Sequence, residues 1–146
     1  MPNTTIDNVT AEYFTQSAET VACGLLGRNL VRTFENGTTL GGRIVEVSAW
    51  QGLSGDHTPH KFDEYTPGTV SVSTKHGKRL TDITCDDGHS CVTLVAAEYV
   101  FDDTKKVAQG PGNLSKALQI TPDFDGYDII NGRDLRIEGG AVDSIE

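Results

Sequence analysis

Glu46 and Ser48 stand two apart in Gly42-Arg43-Ile44-Val45-Glu46-Val47-Ser48-Ala49-Trp50, and His57 and His60 follow soon after. Carboxylates and imidazoles are the side chains that move protons near neutral pH, because histidine titrates there. A serine cannot act as a general base on its own, so Ser48 adds a hydroxyl and no base. The stretch reads as a β-strand ending at an aromatic residue. Its period of two places Ile44, Glu46 and Ser48 on one face and Val45, Val47 and Ala49 on the other.

Other residue groups carry less. Asp56-His57-Thr58-Pro59-His60 and the Cys85–Cys91 segment, with His89, contain ligand types. Neither has a standard zinc spacing, so no metal site is expected, and no cofactor. Gly110-Pro111-Gly112 lacks the Gly-Lys-Ser/Thr ending of a phosphate loop. Lys75, His76, Lys78 and Arg79 form the one dense basic run, which reads equally as a solvated hairpin or a phosphate contact.

Local signals supply the elements that must hold these residues. Residues 17–27 read as a helix with Ser17 as N-cap, Gly27 just past its end, and Val21, Leu25 and Leu26 as its buried stripe. A weaker helical stretch covers 11–16. Residues 30–35 and 38–49 flank Asn36-Gly37, the pair that favours a type I′ hairpin. Gly41-Gly42 suggests a bulge in the return strand. Strands are expected at 69–75, 79–84, 91–101 and 135–138. A loop spans 51–68, a polar turn spans 85–90, and a short helix follows at 110–118.

Composition narrows the class. A chain of 146 residues with 16 glycines and 36% hydrophobic residues suits one loop-rich domain with substantial β-structure. No apolar run is long enough to span a membrane, and the polar start resembles no secretion signal. A soluble, cytoplasmic protein with no membrane partner is expected. Three cysteines make no disulfide framework and fit a reducing compartment. Twelve basic residues against 21 acidic ones, a net charge of −9, disfavour a nucleic-acid partner, whose phosphates are usually met by a basic patch.

Several segments, in order, resemble the alkyladenine (3-methyladenine) DNA glycosylase family. The opening strand matches its Gly-Arg-Ile-Val-Glu-Thr-Glu-Ala-Tyr. The stretch from Val21 to Arg32 resembles its Ala-x-x-Leu-Leu-Gly-x-x-Leu-Val-Arg. Pro67-Gly68-Thr69-Val70 and Gly110-Pro111-Gly112-Asn113-Leu114 continue the likeness, which spans about residues 17–138. The resemblance implies an α+β fold. Residues 10–146 would form a single domain with a curved antiparallel sheet of hairpins and a few short helices, behind a flexible 1–9. The family pattern runs on past the point matching Glu146, so a shortened member is expected.

The family swings a nucleotide out of the duplex into a pocket, where an aromatic residue stacks on it and a glutamate activates water. By that resemblance Trp50 is the stacking platform, and His57 or His60 is the pocket histidine. Ser48 occupies the catalytic glutamate's place. Glu46 matches a glutamate that is not the catalytic one. Asp82 stands for the family asparagine, Val95 for its arginine, and His76 for the tyrosine that fills the gap in the duplex. Ser71-Val72-Ser73 replaces a Tyr-x-Tyr strand, and Lys61–Thr66 replaces a basic DNA-facing loop with a more acidic one.

The scaffold is kept while the residues used on DNA are changed. The primary expectation is a pocket for a planar heteroaromatic ligand: a nucleoside, a nucleotide or another planar metabolite. Glu46, Ser48, His57 and Asp82 would be its catalytic set, with Trp50, His60, His76 and Val95 lining the ligand. Two alternatives stand beside it. One is a non-enzymatic acidic module that binds a basic protein partner. The other is a residual glycosylase using Glu46 or Asp82 as its base.

Overall fold

The computed structural model describes residues 9–50, 66–86, 90–99 and 107–139, the side chains of Lys75 and Tyr99 apart. His57 and His60, the loop expected at 51–65, the middle of the turn expected at 85–90 and the flexible start expected before Val9 lie outside the described residues.

Two short helices open the chain, α1 (Ala11–Phe14) and α2 (Ala18–Leu25). The Ser17 hydroxyl caps α2 by accepting from the Thr20 amide at 3.3 Å, satisfying an amide with no helical partner. Val21 and Leu25 are buried, but Leu26 is 48% exposed. The helix ends at Leu25 and Leu26 is already extended (φ −61°, ψ 132°), which turns its side chain away from the stripe.

The strands are β1 (Asn29–Thr33), β2 (Thr39–Trp50), β3 (Val70–Lys75), β4 (Lys78–Cys85), β5 (Ser90–Tyr99), β6 (Val107–Gln109) and β7 (Leu135–Glu138). They form one curled antiparallel sheet in the order β3-β4-β5-β2-β1-β7, with β6 also paired to β5. Together with α3 (Pro111–Ala117) this is the expected α+β architecture. Helices α2 and α3 pack on one side of the sheet. Leu25, Leu30, Ile44, Ile83, Leu94 and Leu114 are fully buried there, each contributing on the order of 1.5–3 kcal/mol by leaving water. No helix among the described residues is long and apolar enough to cross a membrane.

Two turns depart from the expected geometry. Around Asn36-Gly37 only Gly37 has positive φ (90°), and a five-residue loop closes through Phe34 N–H to Thr38 O at 2.8 Å. The Asn36 side chain accepts from the Thr38 amide at 2.9 Å, which stabilises this wider loop over a two-residue one. The tight turn belongs instead to His76-Gly77, between Lys75 and Lys78, where both residues have positive φ (54° and 78°), as a type I′ hairpin requires.

The bulge also lies elsewhere. Gly41 and Gly42 pair in regular register with Val31 and Leu30. Gly42 serves a close approach, since a Cβ there would lie 2.8 Å from the Ala97 Cβ. The irregularity falls between Ile44 and Val47, where Ile44 pairs with Ala97, Glu46 with Ala96 and Val47 with Leu94. Val45 on β2 and Val95 on β5 are each left over, and the two offsets cancel. Ile44 is therefore in the core, Val45 is 44% exposed, and Val47 packs against the core. The uniform alternation read from the sequence breaks at this bulge, and Ile44 does not share the face of Glu46 and Ser48.

Candidate functional site

Beyond the bulge the register is regular, and it aligns a row of polar residues across four strands. Ser48 on β2 pairs with Thr93 on β5, Thr93 with Asp82 on β4, and Asp82 with Ser71 on β3. Directly paired residues project from the same side of a sheet. Strand spacing puts Ser48 and Asp82 roughly 10 Å apart. The row lies on the side away from the helices, because neighbouring Thr81 contacts Ser115 of α3 at 3.0 Å and side chains alternate along a strand.

Trp50 lies two residues beyond Ser48 on the same side. Its indole N–H donates to the Thr93 hydroxyl at 3.0 Å. That hydroxyl donates in turn to Asp82 Oδ1 at 2.7 Å. A threonine hydroxyl has one proton to give, and here it goes to the carboxylate, while a lone pair takes the indole proton. The bond to a carboxylate is the stronger kind. Asp82 is 1% exposed and Thr93 7%, whereas Trp50 is 49% exposed. The edge of the indole is thus tied to a buried carboxylate while much of the ring stays open to solvent, which suits stacking against another flat ring.

The surroundings of Asp82 are buried and polar. Ser71 is 1% exposed and Thr84 is fully buried, and neither hydroxyl has a hydrogen-bond partner. Cys91, opposite both Thr84 and Trp50, has its thiol pushed well above the usual range by burial and then by the Asp82 charge.

Ser48 is half-buried and Glu46 is exposed, so the two share a side but differ in environment. Val95, half-buried, is the bulged residue of β5. His76 sits at the tip of the β3–β4 hairpin, exposed. The tip lies about five residues, ~17 Å along β4, from Asp82. The structure therefore brings together Ser48, Trp50 and Asp82, and separates His76 from them. Among the described residues no group of three or more His, Cys, Asp or Glu could hold a metal. Sequence reasoning missed Thr93, which links the other two. It is the sole polar residue within Cys91–Ala97, but threonine is so ordinary in strands that this carries little signal.

A family model described as methylpurine-DNA glycosylase matches residues 12–100, a stretch that includes the whole polar row. Human DNA-3-methyladenine glycosylase is 30% identical over 166 residues, covering 92% of this chain and 55% of that protein. The enzymes of the same name from Rattus norvegicus and Mus musculus are each 28% identical over 163 residues, covering 91% of this chain and 51% and 49% of theirs. The chain spans about half the length of these curated relatives.

Proposed function

The chain belongs to the methylpurine-DNA glycosylase family, and from that premise we propose that it binds a planar heteroaromatic ring against Trp50 without standard excision of alkylated bases from DNA. The carrying observation is the Trp50–Thr93–Asp82 chain of hydrogen bonds, at 3.0 and 2.7 Å. Such a chain fixes the orientation of a half-exposed ring before any ligand arrives, which lowers the ordering cost of stacking.

The chemistry open to the site follows from its residues. With Ser48 in the place of the water-activating glutamate, the strand itself offers no base at that point. Removing a positioned general base typically slows a reaction on the order of 10²–10⁴-fold. Among the described residues, exposed Glu46 and buried Asp82 are carboxylates on the same side of the sheet as Ser48. Proton transfer to a small ligand would fall to them and to the histidines that follow Trp50. The ligand class is a nucleoside, a nucleotide or another planar metabolite.

A second reading is favoured by the names of the relatives together with the place of Asp82. A carboxylate on the same row as Ser48, two strands away, could support residual hydrolysis of the base–sugar bond.

One pair of measurements separates the readings. Native mass spectrometry of the protein purified from its own organism should show a co-purifying planar small molecule. Incubation with duplex DNA containing an alkylated adenine should release no base. Enzyme-like release of the base would favour the second reading. A stoichiometric protein partner in place of a small molecule would sink the first.

A further inference from the structure

Two asparagines in this chain precede a glycine, Asn36-Gly37 and Asn131-Gly132. A glycine amide nitrogen is the least hindered nucleophile the backbone offers, because the residue carries no Cβ. When it attacks the carboxamide of the asparagine before it, ammonia leaves and a cyclic succinimide closes. The fold treats the two sites differently.

Asn36 and Gly37 are both exposed in the β1–β2 loop. A Cβ at Gly37 would meet nothing among the described residues within 4 Å. The Asn36 Oδ1 accepts from the Thr38 amide at 2.9 Å. That bond closes a ring through Asn36 Cγ and the Gly37 peptide unit, so it folds the carboxamide back over the nitrogen that attacks it. The same N–H faces the oxygen on which negative charge develops, and a donor so placed favours the tetrahedral intermediate.

Asn131 is restrained instead. Its Nδ2, the nitrogen that would leave, donates to Asp128 Oδ2 at 2.9 Å, and its backbone amide donates to Asp128 Oδ1 at 3.3 Å. Burial pushes the Asp128 carboxyl up, but hydrogen bonds from the Asn131 side chain and the Ile130 and Asn131 amides outweigh it and hold it below its ordinary value. A carboxylate bonded to the carboxamide opposes further negative charge there. Gly132 also packs against the Tyr127 ring, where a Cβ would collide with it. The Gly37 and Gly132 N–H groups each donate to a backbone carbonyl at 2.9 Å, a constraint common to both sites. In the exposed β1–β2 loop that bond opens at little cost.

We propose that Asn36 is a site of spontaneous deamidation and that the fold protects Asn131 from the same reaction. Base removes the Gly37 amide proton, the nitrogen bonds to Asn36 Cγ, and the bond from Cγ to Nδ2 breaks as ammonia takes up a proton and leaves. Water then opens the succinimide at either carbonyl, giving aspartate or isoaspartate, with nothing oxidised or reduced. Both products add a carboxylate beside Glu35. Isoaspartate also routes the main chain through the former side chain and lengthens the loop by a methylene.

The test incubates the intact chain at pH 8 and follows both Asn-Gly peptides by mass spectrometry, with electron-transfer fragmentation to separate aspartate from isoaspartate. In the native protein Asn36 should convert about tenfold faster than Asn131. In concentrated urea the two rates should converge, because the reacting pair is the same. Asp128→Ala, at an exposed position, should bring native Asn131 towards the rate of Asn36 and leave Asn36 unchanged. An isoaspartate carboxyl methyltransferase should label the aged native protein and not aged Asn36→Gln. An unchanged Asn131 rate in Asp128→Ala would overturn the protection assigned to that carboxylate. Native Asn36 that converts no faster than Asn131, or stays intact while the unfolded chain reacts, would overturn the proposal.

Discussion

The Thr93 hydroxyl donates to Asp82 Oδ1 at 2.7 Å, and through this bond a buried carboxylate fixes the edge of an aromatic ring on the next strand but one. Thr93→Val keeps the shape of the side chain and removes both hydrogen bonds. Trp50 is the only tryptophan, so its near-ultraviolet circular dichroism reports the loss directly. That signal should fall, and a ring ligand should bind about fivefold more weakly, the equivalent of about 1 kcal/mol for one hydrogen bond. Thr93→Ser should restore both. Asp82→Asn keeps an acceptor for the hydroxyl and should preserve the signal, whereas Asp82→Ala should abolish it.

Placing a carboxylate at Ser48 should not by itself give the chain the reaction named for its relatives. Ser48→Glu places a carboxylate at a half-buried position. By the family likeness His76, ~17 Å along the strand from Asp82, would still stand for the gap-filling tyrosine, and Val95 for the arginine. Base release from alkylated duplex DNA, followed under single-turnover conditions, should stay at background. Rapid release would mean that a carboxylate at this position is enough for the reaction.

Thiol chemistry should divide the cysteines. Cys23 is exposed, while Cys85 and Cys91 are buried. Burial, then the nearby Asp86 charge, pushes the Cys85 thiol up to about 12, and Cys91 is raised further. The thiolate is the reactive form. At pH 8 a thiol reagent should label one cysteine quickly in the native protein and all three after unfolding. Fast native labelling of Cys91 would contradict the packing around Asp82.

Tyr13 should give the chain an alkaline stability limit. Its hydroxyl donates to the Val21 carbonyl at 2.7 Å and lies over Gly24, where a Cβ would collide with it. Burial, opposed by the Arg28 charge, pushes its pKa from 10.0 up to about 12. A folded-state pKa above the unfolded one means that the stabilisation is whole below pH 10. It declines as the pH rises from 10 to 12, because the unfolded phenol ionises first. Denaturant titrations of Tyr13→Phe should lack this part of the slope, and the variant should lose about 1 kcal/mol at pH 7.

Much of the scaffold was legible because it is written in local signals. Ser17 caps α2, alternation of apolar and polar residues marks β2 and β3, and a nearly continuous apolar run marks β5. What escaped depends on partners distant in sequence. The bulge pair Val45 and Val95 exists only relative to a cross-strand neighbour, and β6 has three residues and no pattern of its own. The link from Trp50 to Asp82 spans separations of 43 and 11 residues, and register alone places its members side by side. The sequence pointed to Trp50, Ser48 and Asp82 through family likeness. The expected ligand lining also included His76, which lies at the exposed tip of the β3–β4 hairpin, away from the Trp50 row.

The most direct test of ring binding at Trp50 is equilibrium quenching of its emission by free purine and pyrimidine bases, their nucleosides and their nucleotides. The account predicts saturable quenching by at least one of them. Calorimetry should show the same ligand bound by the native chain, more weakly by Thr93→Val and not detectably by Trp50→Ala. No quenching by any planar ligand, or calorimetric binding unchanged in Trp50→Ala, would contradict it.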